Sequence, residues 1–449
     1  MLQVIDFAAL LDQIQIVILT DISIMQQTPS SVSSALSMMR SGIFSARELT
    51  EAFLNRIAET DCEIKAWVLV DAERARSEAD AADQKMKMQI PLGPLHGIPI
   101  GVKDVIDVAD WPTAAGSTRW RNAIAREDAP CVKSLRRAGA VLLGKTVTTP
   151  FASFDPAPTL NPRFPDRSPG GSSAGAAAAV AAGHCFASLG TQTGGSILRP
   201  ASYCGVAGYK PTYGNISKQG VVPLAPSLDH VGVIAQNVSN LLEIAKCLSK
   251  FSGLLFDSKF IVMIDRKLNS TFVDSDFCDY FDQIISKTKF GKFRYVDVSL
   301  PSDFFEVIKH HHVIMASEAF EWHAERWYRF PDDYPPCISR LLAEGAGFNA
   351  RDLLQAQRFK RSLKKTLMKW WPTGVFLIMP CTPSSPPDRS STGDPRCQSP
   401  WSFLGWPTIG IPCTKTIRNE PFSVQIIGLP GSDKALFELG LCLETDLQS

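Results

Sequence analysis

The sequence predicts an α/β fold built on a mixed β-sheet. Short β-branched runs bounded by turn residues alternate with longer segments of helical pattern. No internal repeat and no linker divides the 449 residues. A single unit over 1–449 is therefore expected, although length alone suggests about three domains. With 45% hydrophobic residues, a core of ordinary size is within reach.

Ser45-Ala-Arg-Glu48 is a capping box that opens a helix, and Leu49, Ala52, Phe53 and Ile57 give that helix one apolar face. Ala72 to Met88, rich in Ala, Glu, Asp, Lys and Met, reads as a second, more exposed helix. From Pro91 to Asp107, turn residues lead into a β-branched run, read as a buried strand. Ala140-Val-Leu-Leu-Gly144 reads as another. Residues 154–175 are loop-like, dense in Pro, Gly, Ser and Asp. Ala174 to Ala182 is almost all alanine, the best helix former, and Gly183 ends it. Residues 259–264, 294–298 and 373–379 read as strands, and 305–370 as mostly helical. Residues 380–397 are a Pro/Ser-rich loop long enough to suggest function.

Composition argues against several classes. With 46 basic and 45 acidic residues the net charge is +1, and no global field favours nucleic acid or a membrane surface. Eleven cysteines, an odd number without a CxxC pair, argue against a zinc site, a redox motif or a full disulfide framework. A reducing, cytoplasmic setting is expected. Met1 to Met25 is fairly apolar, but Asp6, Asp12 and Asp21 interrupt it and it lacks a basic n-region. It falls short of the roughly 18 residues of a membrane span. It reads as a packed helix, with a peripheral membrane contact as the alternative.

Three segments could carry chemistry. Lys103 sits among aliphatic residues in Ile98-Pro-Ile-Gly-Val-Lys-Asp-Val-Ile106. Desolvation there would favour the neutral amine, a base; pairing with Asp104 or Asp107 is the plainer reading. Gly170-Gly-Ser-Ser-Ala-Gly175 leads into the alanine helix, whose free N–H groups could hold an anion. Neither GxxxxGK[ST] nor GxGxxG is present, so a nucleotide site is not indicated, and a tight packing turn is the simpler account. In Gly190-Thr-Gln-Thr-Gly-Gly-Ser-Ile-Leu-Arg-Pro-Ala201, two glycines leave the backbone beside Ser196 open. The N–H groups of Thr193, Gly194, Gly195 and Ser196 could form an oxyanion hole for acyl transfer. The segment does not match GxSxG. None of the seven histidines carries a motif pairing it with Ser196, and His310, His311 and His312 would fan around a helix rather than converge on a metal. Residue chemistry alone thus ends at a serine site of unidentified base.

Lys103, Gly170–Gly175 and Gly190–Ala201 together resemble the amidase signature family. Cys204-Gly-Val-Ala-Gly-Tyr-Lys-Pro-Thr212, Ser227-Leu-Asp-His-Val-Gly232, Thr382-Pro383, Gly393-Asp-Pro395 and Leu404-Gly-Trp-Pro-Thr-Ile-Gly-Ile-Pro412 extend the match over roughly residues 30–445. The resemblance implies a twisted mixed sheet covered by helices on both faces. It places the signature core at about 91–235, with 236–449 completing the sheet and the substrate pocket. It also implies a Ser-Ser-Lys triad without histidine, cofactor or metal. Ser196 would be the nucleophile, Ser172 the bridging serine after a cis peptide at Gly171, and Lys103 the base. Ser173 and Thr191 would support them.

Two positions depart from the commonest pattern. Gln192 stands where an acid is usual, and the arginine falls at Arg199 rather than at Leu198. This spacing resembles a malonamidase-like branch, in which Arg199 would grip a substrate carboxylate through a bidentate pair. A purely structural role for Arg199 is the alternative. The expected activity is cleavage of a small amide through an acyl-enzyme, releasing ammonia or an amine. The alternatives are the glutaminase-type subunit of a tRNA-dependent amidotransferase and a non-catalytic binding protein on this fold. A small-molecule amide is the expected partner, without nucleic acid or membrane, and the resemblance implies a homodimer.

Overall fold

The computed structural model describes residues 29–249, 251, 260–288, 293–417 and 419–448. The apolar segment 1–25 lies outside the described residues. Eleven strands form one mixed sheet. They are β1 (Trp67–Val70), β2 (Pro99–Lys103), β3 (Val141–Thr146), β4 (Ala187–Gln192), β5 (Ala207–Lys210), β6 (His230–Ala235), β7 (Phe260–Ile264), β8 (Phe293–Asp297), β9 (Val375–Pro380), β10 (Thr408–Ile417) and β11 (Glu420–Ile427). Their order is β1-β3-β2-β4-β6-β5-β10-β11-β9-β7-β8. Strands β3, β2 and β4 run parallel, as do β9, β7 and β8, and the remaining neighbours pair antiparallel. Every residue of β2, β3, β4 and β6 is buried, as helices covering both faces require.

Local chemistry accounts for several elements. The capping box closes as expected, with Ser45 accepting from Glu48 N–H and Glu48 accepting from Ser45 N–H, and the helix runs Ala46–Ile64. Leu49, Phe53 and Ile57 are buried on its inner face, and Ala52 is half-buried. The second helix spans Ala72–Lys87. The strand expected over 91–107 is confined to Pro99–Lys103. Pro91 and Pro94 lack donors before it, and the N–H groups of Val105 and Ile106 turn back onto the Lys103 carbonyl after it. Lys103 therefore ends a strand.

The alanine helix, Ala174–Ala181, packs against β2, β3, β4 and β6. Its small side chains allow that approach. At Gly175 a Cβ would lie 2.3 Å from both Ala66 O and Val147 N. Residues 305–370 fold largely into the helices Val307–Arg329, Pro336–Gly347 and Ala350–Trp370. Among the described residues no helix is long and apolar enough to cross a membrane. All eleven cysteines are free thiols.

Candidate active site

Strand ends and the loops beyond them build the site. β2 delivers Lys103, and its parallel neighbour β4 ends at Gln192 and opens into the turn that carries Ser196. The loop before the alanine helix delivers Ser172 and Ser173. The Ser173 N–H donates to the Ser196 carbonyl at 3.2 Å, joining the two serine loops. The Gly171–Ser172 peptide is cis, matching what the resemblance implies.

Lys103 is fully buried and donates through Nζ to Ser172 Oγ and to Thr191 Oγ1, each at 2.8 Å. The pairing with Asp104 does not form. Lys145 of β3 stands in register with Val102, so its side chain leaves the face opposite to Lys103. Asp104 shares the face of Lys145 and binds its Nζ at 2.9 Å. Lys103 is left with hydroxyl partners, and burial pushes its ammonium down to about 7, opposed only by the negative charge of Asp229. Ser172 has no exposure, whereas Ser196 keeps 8%. Among the described residues, no hydrogen bond joins the two serine hydroxyls, and no histidine bonds to Ser196.

The turn from Thr193 to Ser196 presents four N–H groups, none of which meets a protein acceptor among the described residues. Thr193 Oγ1 donates to the buried Asp229 at 2.5 Å, and Asp229 also accepts from the N–H groups of Leu224 and Ala225. Ser173 Oγ donates to the Thr191 carbonyl at 3.2 Å. Gln192 accepts through Oε1 from Ile197 N–H at 2.8 Å and Leu198 N–H at 3.0 Å. It thereby caps the Leu198–Tyr203 helix that follows the serine.

Arg199 does not have the open guanidinium that a substrate anchor needs. It is 1% exposed, donating through Nη1 to the Gly393 carbonyl at 2.6 Å and through Nη2 to the Gly171 carbonyl at 2.7 Å. It links the loop before Ser172 to the loop at 392–395, and burial without a carboxylate hydrogen-bond partner lowers its pKa to about 10. Sequence reasoning missed Asp229, His311 and Ser402, which also touch the Thr193–Ser196 turn. Only Asp229 lay within a quoted motif, Ser227–Gly232. His310 stacks on Phe359 and His312 bonds Glu344, so the three consecutive histidines diverge as expected. Among the described residues no group of three His, Cys, Asp or Glu could hold a metal ion.

The amidase family profile matches residues 48–270. The chain belongs to the amidase signature family. Enzymes of this family act on amide C–N bonds, and this chain is one of them. It is 27% identical to a glutamyl-tRNA(Gln) amidotransferase subunit from Endomicrobium trichonymphae, over 92% of this chain and 96% of that protein. It is 38% identical to the corresponding subunit from Prochlorococcus marinus strain NATL2A over 58% of this chain, but spans only about half, 52%, of that relative. A solved amidase superposes with a TM-score of 0.85 at 28% identity, covering 93% of this chain and 100% of the other. The names of the two amidotransferase relatives run against the expectation that nucleic acid plays no part.

Proposed function

We propose that the chain cleaves a carboxylic amide through an acyl-enzyme on Ser196. Neutral Lys103 takes the proton of Ser172 as Ser172 takes that of Ser196. Ser196 Oγ then adds to the amide carbonyl, whose oxygen becomes negative facing the N–H groups of Thr193 to Ser196. Collapse breaks the C–N bond, and the relay returns the proton to the departing ammonia or amine. Water then adds to the ester and frees Ser196. The carrying observation is the buried Lys103 amine, without a carboxylate hydrogen-bond partner and 2.8 Å from Ser172 Oγ. Ser196→Ala should lower ammonia release at least ~10⁴-fold, and hydrolysis surviving in the pure variant would sink the mechanism.

Two readings of the amide remain, each with its own support. The near-complete alignment to an amidotransferase subunit favours a glutaminase-type chain that supplies ammonia to a tRNA-dependent enzyme. Nucleic acid would then enter with companion chains. Full coverage of a solved amidase favours a free small amide instead. An ammonia-release screen over glutamine, malonamate and simple aliphatic and aryl amides separates them. Glutamine turnover that rises on adding a tRNA-binding partner supports the first, and turnover of malonamate by the isolated chain supports the second.

A further inference from the structure

In a trans peptide the C=O and the following N–H point in opposite directions, so a group that grips the carbonyl also aims the N–H. The only cis peptide among the described residues is Gly171–Ser172, so the peptides of the Ser196 turn are trans. Two side chains grip consecutive carbonyls there. His311, from the Val307–Arg329 helix, meets the Thr193 carbonyl through Nε2 at 3.1 Å. A carbonyl only accepts, so this ring carries its proton on Nε2. Ser402 donates through Oγ to the Gly194 carbonyl at 2.6 Å.

The Ser402 hydroxyl is itself oriented. Gln192 Nε2 donates to it at 3.0 Å, which directs the hydroxyl proton onward to Gly194. The two glycines let the turn lie against the start of the Ser399–Leu404 helix, which carries Ser402. A Cβ on Gly194 would lie 3.1 Å from Ser399 Oγ, and one on Gly195 2.7 Å from Gln398 Oε1.

We propose that His311 and Ser402 are positioning residues, which hold the Thr193 and Gly194 carbonyls outward and so aim the Gly194 and Gly195 N–H groups at the substrate oxygen that turns negative. The inference rests on the acyl-enzyme reading of Ser196. It also gives Gln192 a function that an acid could not serve. A carboxylate at this position has no proton to donate, and it would draw the Ser402 hydroxyl away from the Gly194 carbonyl.

The test uses a fluorophosphonate probe on the full chain. Ser196 Oγ would bond to phosphorus, fluoride would leave, and the serine proton would pass into the relay. The phosphoryl oxygen would then occupy the oxyanion position. Ser402→Ala, His311→Leu and Gln192→Glu should each lower the maximal labelling rate about 10- to 100-fold, with the probe's half-saturation concentration unchanged. His311→Gln keeps an N–H donor and should recover at least tenfold over His311→Leu. A maximal rate within twofold of wild type in folded Ser402→Ala and Gln192→Glu would overturn the inference, as would His311→Gln labelling no faster than His311→Leu. The underlying reading fails separately, if the wild-type probe adduct maps to a residue other than Ser196 or persists in Ser196→Ala.

Discussion

Replacing Lys103 by methionine should stabilise the protein while abolishing its activity, and the size of the gain should depend on pH. The side chain is fully buried on β2, and burial lowers its pKa from 10.5 to about 7. The unfolded chain binds this proton more tightly, so between these two values wild-type stability rises with pH. The cost of burying the lysine is complete below about 7 and disappears above 10.5. It amounts to ~4 kcal/mol at pH 7 and ~1 kcal/mol at pH 9.5. Lys103→Met, of similar volume and without a charge, should recover most of it. Urea unfolding of both proteins at pH 7 and pH 9.5 reads the difference directly. A gain equal at the two pH values would refute the assignment of a displaced lysine. The same titration should govern catalysis. With the neutral amine as base, kcat/KM should climb about tenfold per pH unit below 7 and level above it, reaching roughly a tenth of its plateau at pH 6. A profile flat from pH 5.5 to 9 would remove Lys103 as the base.

Two further perturbations separate structural from catalytic roles. Arg199→Leu leaves the Gly171 and Gly393 carbonyls unpaired, so kcat should fall for neutral and carboxylate-bearing amides alike, with a lower melting temperature; a KM rise confined to anionic substrates would restore the anchor role. Asp104→Asn removes the carboxylate facing buried Lys145 and should cost about 3–5 kcal/mol in urea unfolding. A loss below ~1 kcal/mol would mean that the pair is not what holds these strand ends.

Where the cause of a structure was local, it was legible beforehand. The Ala46–Ile64 helix starts where Ser45 and Glu48 satisfy each other's backbone donors. The alanine helix and the strand at Val141–Thr146 follow from residue type. Strands β4 and β5 are not legible in the sequence because, unlike the equally buried β2 and β3, they carry no β-branched apolar run. Ala187-Ser-Leu-Gly-Thr-Gln192 and Ala207-Gly-Tyr-Lys210 carry no alternation of apolar and polar residues, the usual mark of a strand. Close packing is served there by Gly190 and Gly208, where a Cβ would lie 3.1 Å from Ser173 Oγ and 3.0 Å from the Ala201 Cβ. In the site, residue chemistry singles out Lys103 and Ser196, but only the family motifs join them with Ser172 into a triad, since no local feature ties Lys103 to serines 69 and 93 positions away.

The sequence by itself determined the family, the α/β class and the residues at which chemistry was expected, because glycine-rich turns, caps and motif spacing are written in neighbouring positions. Which partners those residues take was decided only by the tertiary structure. Strand register sends Lys145 to Asp104 and leaves Lys103 with hydroxyls. Arg199 reaches carbonyls at Gly171 and Gly393, and residues as distant as His311 and Ser402 close on the turn before Ser196. A buried polar group must find a partner, and which partner lies within about 3 Å is a property of how the elements pack.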